Sequence, residues 1–123
     1  MPRKLLKSFI CAKEGLLHAL STQRNISIQL GFGCFALMGG IVLSFSFLEL
    51  AVLVLAIFFV VVSEMFNTAL EEVVNAISPH PSVLAKIAKD VAAGATLMSA
   101  VAALIIGLLL FAPKIVIILS LGG

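Results

Sequence analysis

Glu64, Asn67, Thr68, Glu71 and Asn75 crowd the second half of a segment whose first half is almost wholly apolar. If the segment is a helix, positions 64, 67, 71 and 75 share one face, with Thr68 at its border. Glu64 and Glu71 are then two turns apart, about 10 Å along the axis. That is too far for both to hold one metal ion unaided. It suits two parts of one reaction, with one carboxylate on a metal–nucleotide and the other at an acceptor hydroxyl. Glu72 points about 100° away from Glu71, towards the membrane interface or another subunit. Lys86, Lys89 and Asp90 form a second group. Lysines there can bind phosphate as point charges, and Asp90 can orient one of them. Two plainer readings stay open: a polar helix end that has left the bilayer, and ordinary cytoplasmic anchoring by the lysines. Glu64 fits the first of these poorly, because it follows directly on the apolar run Ala51 to Val62. Carboxylates inside a membrane are costly and mark function by default.

Composition dictates the elements that position these groups. The chain has 123 residues, 62% hydrophobic and 11% charged, with a mean hydropathy of +1.25. Soluble domains are about 45–50% apolar and about 25% charged, and a soluble globule this short cannot bury so much apolar surface. Lipid is therefore the expected solvent, and residues 1–123 the expected single membrane domain. No cleavable signal peptide is expected, since Leu5 and Leu6 are interleaved with Lys4, Lys7, Lys13 and Glu14. Cys11 and Cys34 lack a CxxC spacing and a neighbouring His in metal-ligand register, and are expected to be small reduced hydrophobes. A net charge of +2 gives no argument for nucleic-acid binding.

Residues 3–23 predict an amphipathic helix lying in the membrane interface. Leu5, Phe9, Leu16 and Leu20 recur at helical spacing, and Arg3, Lys4, Lys7 and Lys13 lie mostly off that stripe. Packing of the same helix on the rest of the protein is compatible with this. Residues 25–48 carry no charge, enough to cross a hydrocarbon layer of about 30 Å. The first transmembrane helix is expected at 26–46, where Gly31, Gly33, Gly39 and Gly40 allow close helix approach. After a very short turn marked by Glu49, a second is expected at 49–76. Pro79 and Pro81 end it. A third is expected at 83–112, interrupted by Pro113-Lys114, with a tail at 115–121 that extends the helix or lies at the interface.

There is no GxxxxGK[ST] loop and no kinase glycine-rich loop. The residues alone therefore lead to a small all-α, three-span membrane protein with a cytoplasm-facing carboxylate site. The stretch Glu64-Met-Phe-Asn67-Thr68-Ala-Leu-Glu71-Glu-Val-Val-Asn75 resembles the signature E-x-x-N-[ST]-A-[IL]-E-x-V-V-D of the small bacterial membrane lipid kinases. These are the prokaryotic diacylglycerol kinases and undecaprenol kinases. Ala88-Lys89-Asp90-Val-Ala-Ala-Gly-Ala resembles the family's A-K-D-x-[AG]-[AS]-[AG]-A, at a fitting distance from the first block. The resemblance covers nearly the whole chain, and its Asn-Thr-Ala and Ala-Ala-Gly-Ala forms lean towards the undecaprenol kinase branch.

The resemblance implies a homotrimer in the bacterial inner membrane, with active sites shared between subunits. It implies ATP and Mg²⁺ as the phosphoryl donor, and diacylglycerol or undecaprenol as acceptor. Glu64 would be the general base and Asn67 would bind nucleotide or position that base. Glu71 would hold the metal of MgATP, and Lys89 and Asp90 would contact phosphates. Two positions depart from the family. Gln23 stands where the family has a glutamate that is a second metal ligand, and Asn75 stands where it has an aspartate. A neutral amide is a poorer Mg²⁺ ligand than a carboxylate. Two other readings are carried beside the kinase: a catalytically weakened regulatory homologue, and a small ion-conducting subunit.

Orientation follows from Arg3, Lys4, Lys7, Lys13 and Arg24 before the first span and Lys86 and Lys89 after the second, with no Lys or Arg in the first turn. The positive-inside rule puts the N-terminus and the Pro79 segment in the cytoplasm. With Cys11 and Cys34 replaced, Ser82→Cys should resist an impermeant thiol reagent on intact cells and react in inside-out vesicles. Labelling from outside would reverse the topology.

Overall fold

The computed structural model describes residues 2–122. Among these the chain forms four helices: α1 (Pro2–Thr22), α2 (Arg24–Val42), α3 (Phe47–Ile77) and α4 (Val83–Gly122). The last three are long and apolar enough to cross a membrane. α3 is the central strut, packing on α4 along one flank and on α2 along another. Few side chains are buried, chiefly Ile26, Leu53, Ala56, Val60 and Val61, while large apolar residues such as Phe32, Phe58, Phe66 and Leu104 face outward. An inside-out distribution of this kind is stable only where the surroundings are themselves apolar.

α1 and α2 meet at one residue. Gln23 has an extended backbone (φ −106°, ψ 99°) and makes no side-chain cap bond. The corner is closed by hydroxyls instead: Thr22 Oγ1 donates to the His18 carbonyl at 2.6 Å, and Ser27 Oγ to the Leu20 carbonyl at 3.2 Å. Beneath it, Ala19, the one buried residue of α1 among those described, packs with Ile26 (1% exposed) and Val61 of α3.

The turn from α2 to α3 is short, as expected, but falls earlier, at residues 43–46, with α2 ending at Val42 rather than 46 and α3 starting at Phe47. Phe45 N donates to the Gly40 carbonyl at 2.9 Å and Ser44 N to that of Ile41 at 3.1 Å, a Schellman closure with Ser44 at φ 60° in the place usually held by glycine. Phe45 then folds back over Gly40 and packs at a tilt of 54° against Phe111 of α4, with ring centroids 4.8 Å apart. α3 starts with a reciprocal capping box: Ser46 Oγ accepts from Glu49 N at 3.1 Å, and Glu49 Oε1 accepts from Ser46 N at 3.0 Å.

The expected interruption at Pro113-Lys114 does not end the helix. α4 runs through Pro113 for 40 residues, and Lys114 pairs with Glu49 at 3.5 Å. A proline removes one helical bond and crowds the turn before it; the Glu49–Lys114 pair and the Phe45–Phe111 contact hold α4 against α3 on either side of that weak point. Of the glycines expected to permit close approach, Gly33 lies against Ile57 and Gly39 against Phe111, whereas Gly31 meets nothing within 4 Å.

A Cβ at Gly40 would lie 2.8 Å from Phe45 Cδ2, in a ring already fixed by Phe111. Gly40→Val should therefore destabilise the protein by about 1–3 kcal/mol. Ser44→Gly should stabilise it by about 1 kcal/mol by removing a left-handed non-glycine residue. Unfolding in mixed micelles checks both.

Candidate functional site

α3 is apolar where lipid surrounds it and polar at its C-terminal end, so one face changes character along its length. Leu53, Ile57, Val60, Glu64, Asn67, Glu71 and Asn75 follow one another at spacings of three and four and so lie on one stripe. The first three form the floor of a groove of about 660 Å³ between α2 and α4. Small residues, Gly33, Ala36 and Gly39 on α2 and Ala100, Ala103 and Gly107 on α4, alternate along its walls with large ones such as Phe32, Phe35, Leu104 and Leu108. Phe111 reaches across to Gly39 and closes the far end. Gln29 lines the other end, and the polar stripe begins just beyond it.

Measured from Phe47, Glu64 lies about 25 Å along the helix and Glu71 about 36 Å. In a hydrocarbon layer of about 30 Å, Glu64 would sit inside the inner boundary and Glu71 outside it. The polar groups are paired accordingly. Gln29 Nε2 of α2 donates to Glu64 Oε1 at 3.1 Å. Thr68 Oγ1 donates to the main-chain oxygen of Glu64 at 2.9 Å. Asn67 Nδ2 donates to Glu71 Oε1 at 3.4 Å, a long bond between half-buried side chains. Buried without a partner are the acceptors Gln29 Oε1 and Asn67 Oδ1, the first at the groove.

At the outer end the stripe meets α4. Lys89 Nζ donates to Asn75 Oδ1 at 2.5 Å, and Lys86 pairs with Asp90 at 2.6 Å. These four residues and the Ser78–Val83 turn line a depression of about 720 Å³. Asn75 fixes Lys89 through a neutral oxygen, and no carboxylate pairs with it among the described residues. Asp90 orients Lys86 rather than Lys89.

The residues singled out from sequence thus fall into three linked groups. Glu64 stands at the end of the groove, Asn67 and Glu71 form a middle pair, and Asn75, Lys89 and Asp90 border the outer depression. Gln23 is separate: it occupies the α1–α2 corner and makes no side-chain hydrogen bond to Glu71 or to any other described residue. Among the described residues no three His, Cys, Asp or Glu side chains converge on a metal site. Glu71 alone offers a carboxylate at mid-stripe, with one oxygen taken by Asn67. This donor set fits a divalent ion that arrives already chelated by phosphate oxygens, not a resident one. Sequence reasoning missed Gln29. Its signal was available, as an amide amid the uncharged run 25–48, but only α3 at its side gives it meaning.

Comparison with known proteins supplies the context. The family model for prokaryotic diacylglycerol kinase matches residues 10–111. An undecaprenol kinase of Bacillus subtilis is 38% identical over 112 residues, covering 91% of this chain and 91% of that protein. A diacylglycerol kinase of Synechocystis sp. is 41% identical over 112 residues, covering 90% of this chain and 64% of that longer protein.

Proposed function

The chain belongs to the prokaryotic diacylglycerol kinase family, and from that premise we propose that it phosphorylates the hydroxyl of a membrane lipid, diacylglycerol or undecaprenol, at the expense of MgATP. The observation that carries the reading is the stripe on α3, where an apolar groove gives way to a carboxylate and then to lysines. An acceptor lipid has the same order of chemistry, a long apolar body ending in one hydroxyl. A nucleotide approaches from the opposite end, its phosphates towards Lys89 and its Mg²⁺ towards Glu71.

Glu64 accepts the hydroxyl proton as the lipid oxygen bonds to the γ-phosphorus; the bond from that phosphorus to the bridging oxygen breaks, and ADP leaves. Phosphoryl transfer asks the protein mainly for positioning and charge neutralisation, so a site without a phosphate-binding loop is chemically adequate. Asn67 holds Glu71 towards the metal, and Lys89 and Asp90 border the phosphates. Gln23, at the α1–α2 corner, would offer that metal an amide oxygen as a further ligand. The full assembly is a homotrimer in the cytoplasmic membrane. Exposed Glu72, turned off the stripe, is available to a neighbouring subunit. α1 lies along the interface, with Leu5, Leu6 and Phe9 exposed on one side and its lysines turned to headgroups.

Transfer of labelled phosphate from ATP to each lipid, by the purified protein in bilayers, tests the reading. Glu64→Gln should cut turnover roughly 10²–10⁴-fold while leaving the helical fold intact; near-normal turnover would remove Glu64 from the reaction, and no transfer to either lipid by wild type would remove the kinase. Gln23→Glu adds a carboxylate oxygen and should lower the Mg²⁺ concentration for half-maximal activity at fixed ATP. No change in that titration would place the second metal ligand elsewhere.

A further inference from the structure

Gln29 is the one side chain of α2 that hydrogen-bonds to α3 among the described residues, and it does so to Glu64. We propose that Gln29 is the positioning residue for the base: it fixes the Glu64 carboxylate at the head of the groove. The inference rests on Glu64 being the base, as read above.

Gln29 presents Nε2 to Glu64, and Oε1 is left buried without a donor. An unpaired buried amide oxygen is costly. An apolar side chain of the same length would fill the space without that cost, so packing alone does not account for a glutamine here. Gln29 also lines the groove, so the bond ties the carboxylate to the wall along which an acceptor chain would lie.

No other hydrogen bond reaches the Glu64 carboxylate among the described residues. Thr68 is engaged with its main-chain oxygen, not its carboxylate. On α2 the nearest charge is Arg24, and α4 carries none from Val91 to Pro113. On α3 the next carboxylate is Glu71, two turns away. The Gln29 N–H is therefore the side-chain bond that orients the Glu64 carboxylate among the described residues, in surroundings of low dielectric where such a bond is strengthened.

The test is the pH dependence of lipid phosphorylation by the purified full-length protein in bilayers, for wild type, Gln29→Met and Gln29→Glu, with Glu64→Gln as reference. Gln29→Met keeps the side-chain length and removes the donor. It should retain helicity, thermal stability and lipid KM, lower kcat about tenfold to a hundredfold, and move the acid limb of kcat/KM up by about one pH unit. Gln29→Glu should move that limb further, because a second carboxylate opposes ionisation of the first. It also serves as the independent variant if Gln29→Met folds poorly. An acid limb that stays at its wild-type position in a folded variant overturns the proposal, even where kcat falls, since a structural role would lower activity without moving it. If Glu64→Gln is inactive and the limb is unmoved, this inference fails alone. If Glu64→Gln is active, the assignment of the base fails with it.

Discussion

Hydrocarbon offers no hydrogen-bond partners, so a polar side chain carried into the membrane must bring its own. The polar contacts along the spanning segments answer that constraint. Glu64 is met by Gln29 from the neighbouring helix. Thr68 and Ser99 turn their hydroxyls back to carbonyls of their own helices, and Ser99 does so while only 3% exposed. At the other end of α3, one Glu49 oxygen, Oε1, serves both the Ser46 main-chain N–H and Lys114. What remains unmatched, the buried oxygens of Gln29 and Asn67, lies beside the carboxylates and nowhere else among the described residues.

The same constraint explains why chemistry is arranged by depth on a single helix. A carboxylate needs water or a paired donor, a metal–nucleotide needs the aqueous phase, and a lipid hydroxyl is tied to the bilayer by its own chain. α3 passes through all three environments along one stripe. Its floor is apolar at Leu53 to Val60, a partnered carboxylate follows at Glu64, and hydrophilic groups extend from Asn67 to Asn75. Lys89 is brought to that outer end because the Ser78–Val83 turn sets the start of α4 beside the end of α3.

Small residues make the arrangement possible. Gly33 admits Ile57 and Gly39 admits Phe111, so α2 comes close to α3 at one end and touches α4 at the other, leaving the groove between. The Schellman turn at Ser44 and the ring pair Phe45–Phe111 close that far end. Backbone strain at Ser44 is accepted where it shortens the connection and seats Phe45 against Gly40.

Hydropathy and helical period were sufficient to show an all-helical membrane chain with three segments able to span, because burial of apolar surface in lipid depends on composition and length alone. The motif spacing likewise placed Glu64, Asn67, Glu71 and Asn75 on one face, since helix geometry converts residue number directly into angle. Contacts between helices were not legible in the same way. The end of α2 at Val42 depended on a serine taking a left-handed conformation, which local preference disfavours. Passage of α4 through Pro113 occurs where Glu49 and Phe45 from elsewhere in the chain hold it. Gln29 looked like one amide in a long uncharged run until α3 set Glu64 within 3.1 Å of it. Period and composition act within a segment, whereas these features are decided by which segments the packed structure places side by side.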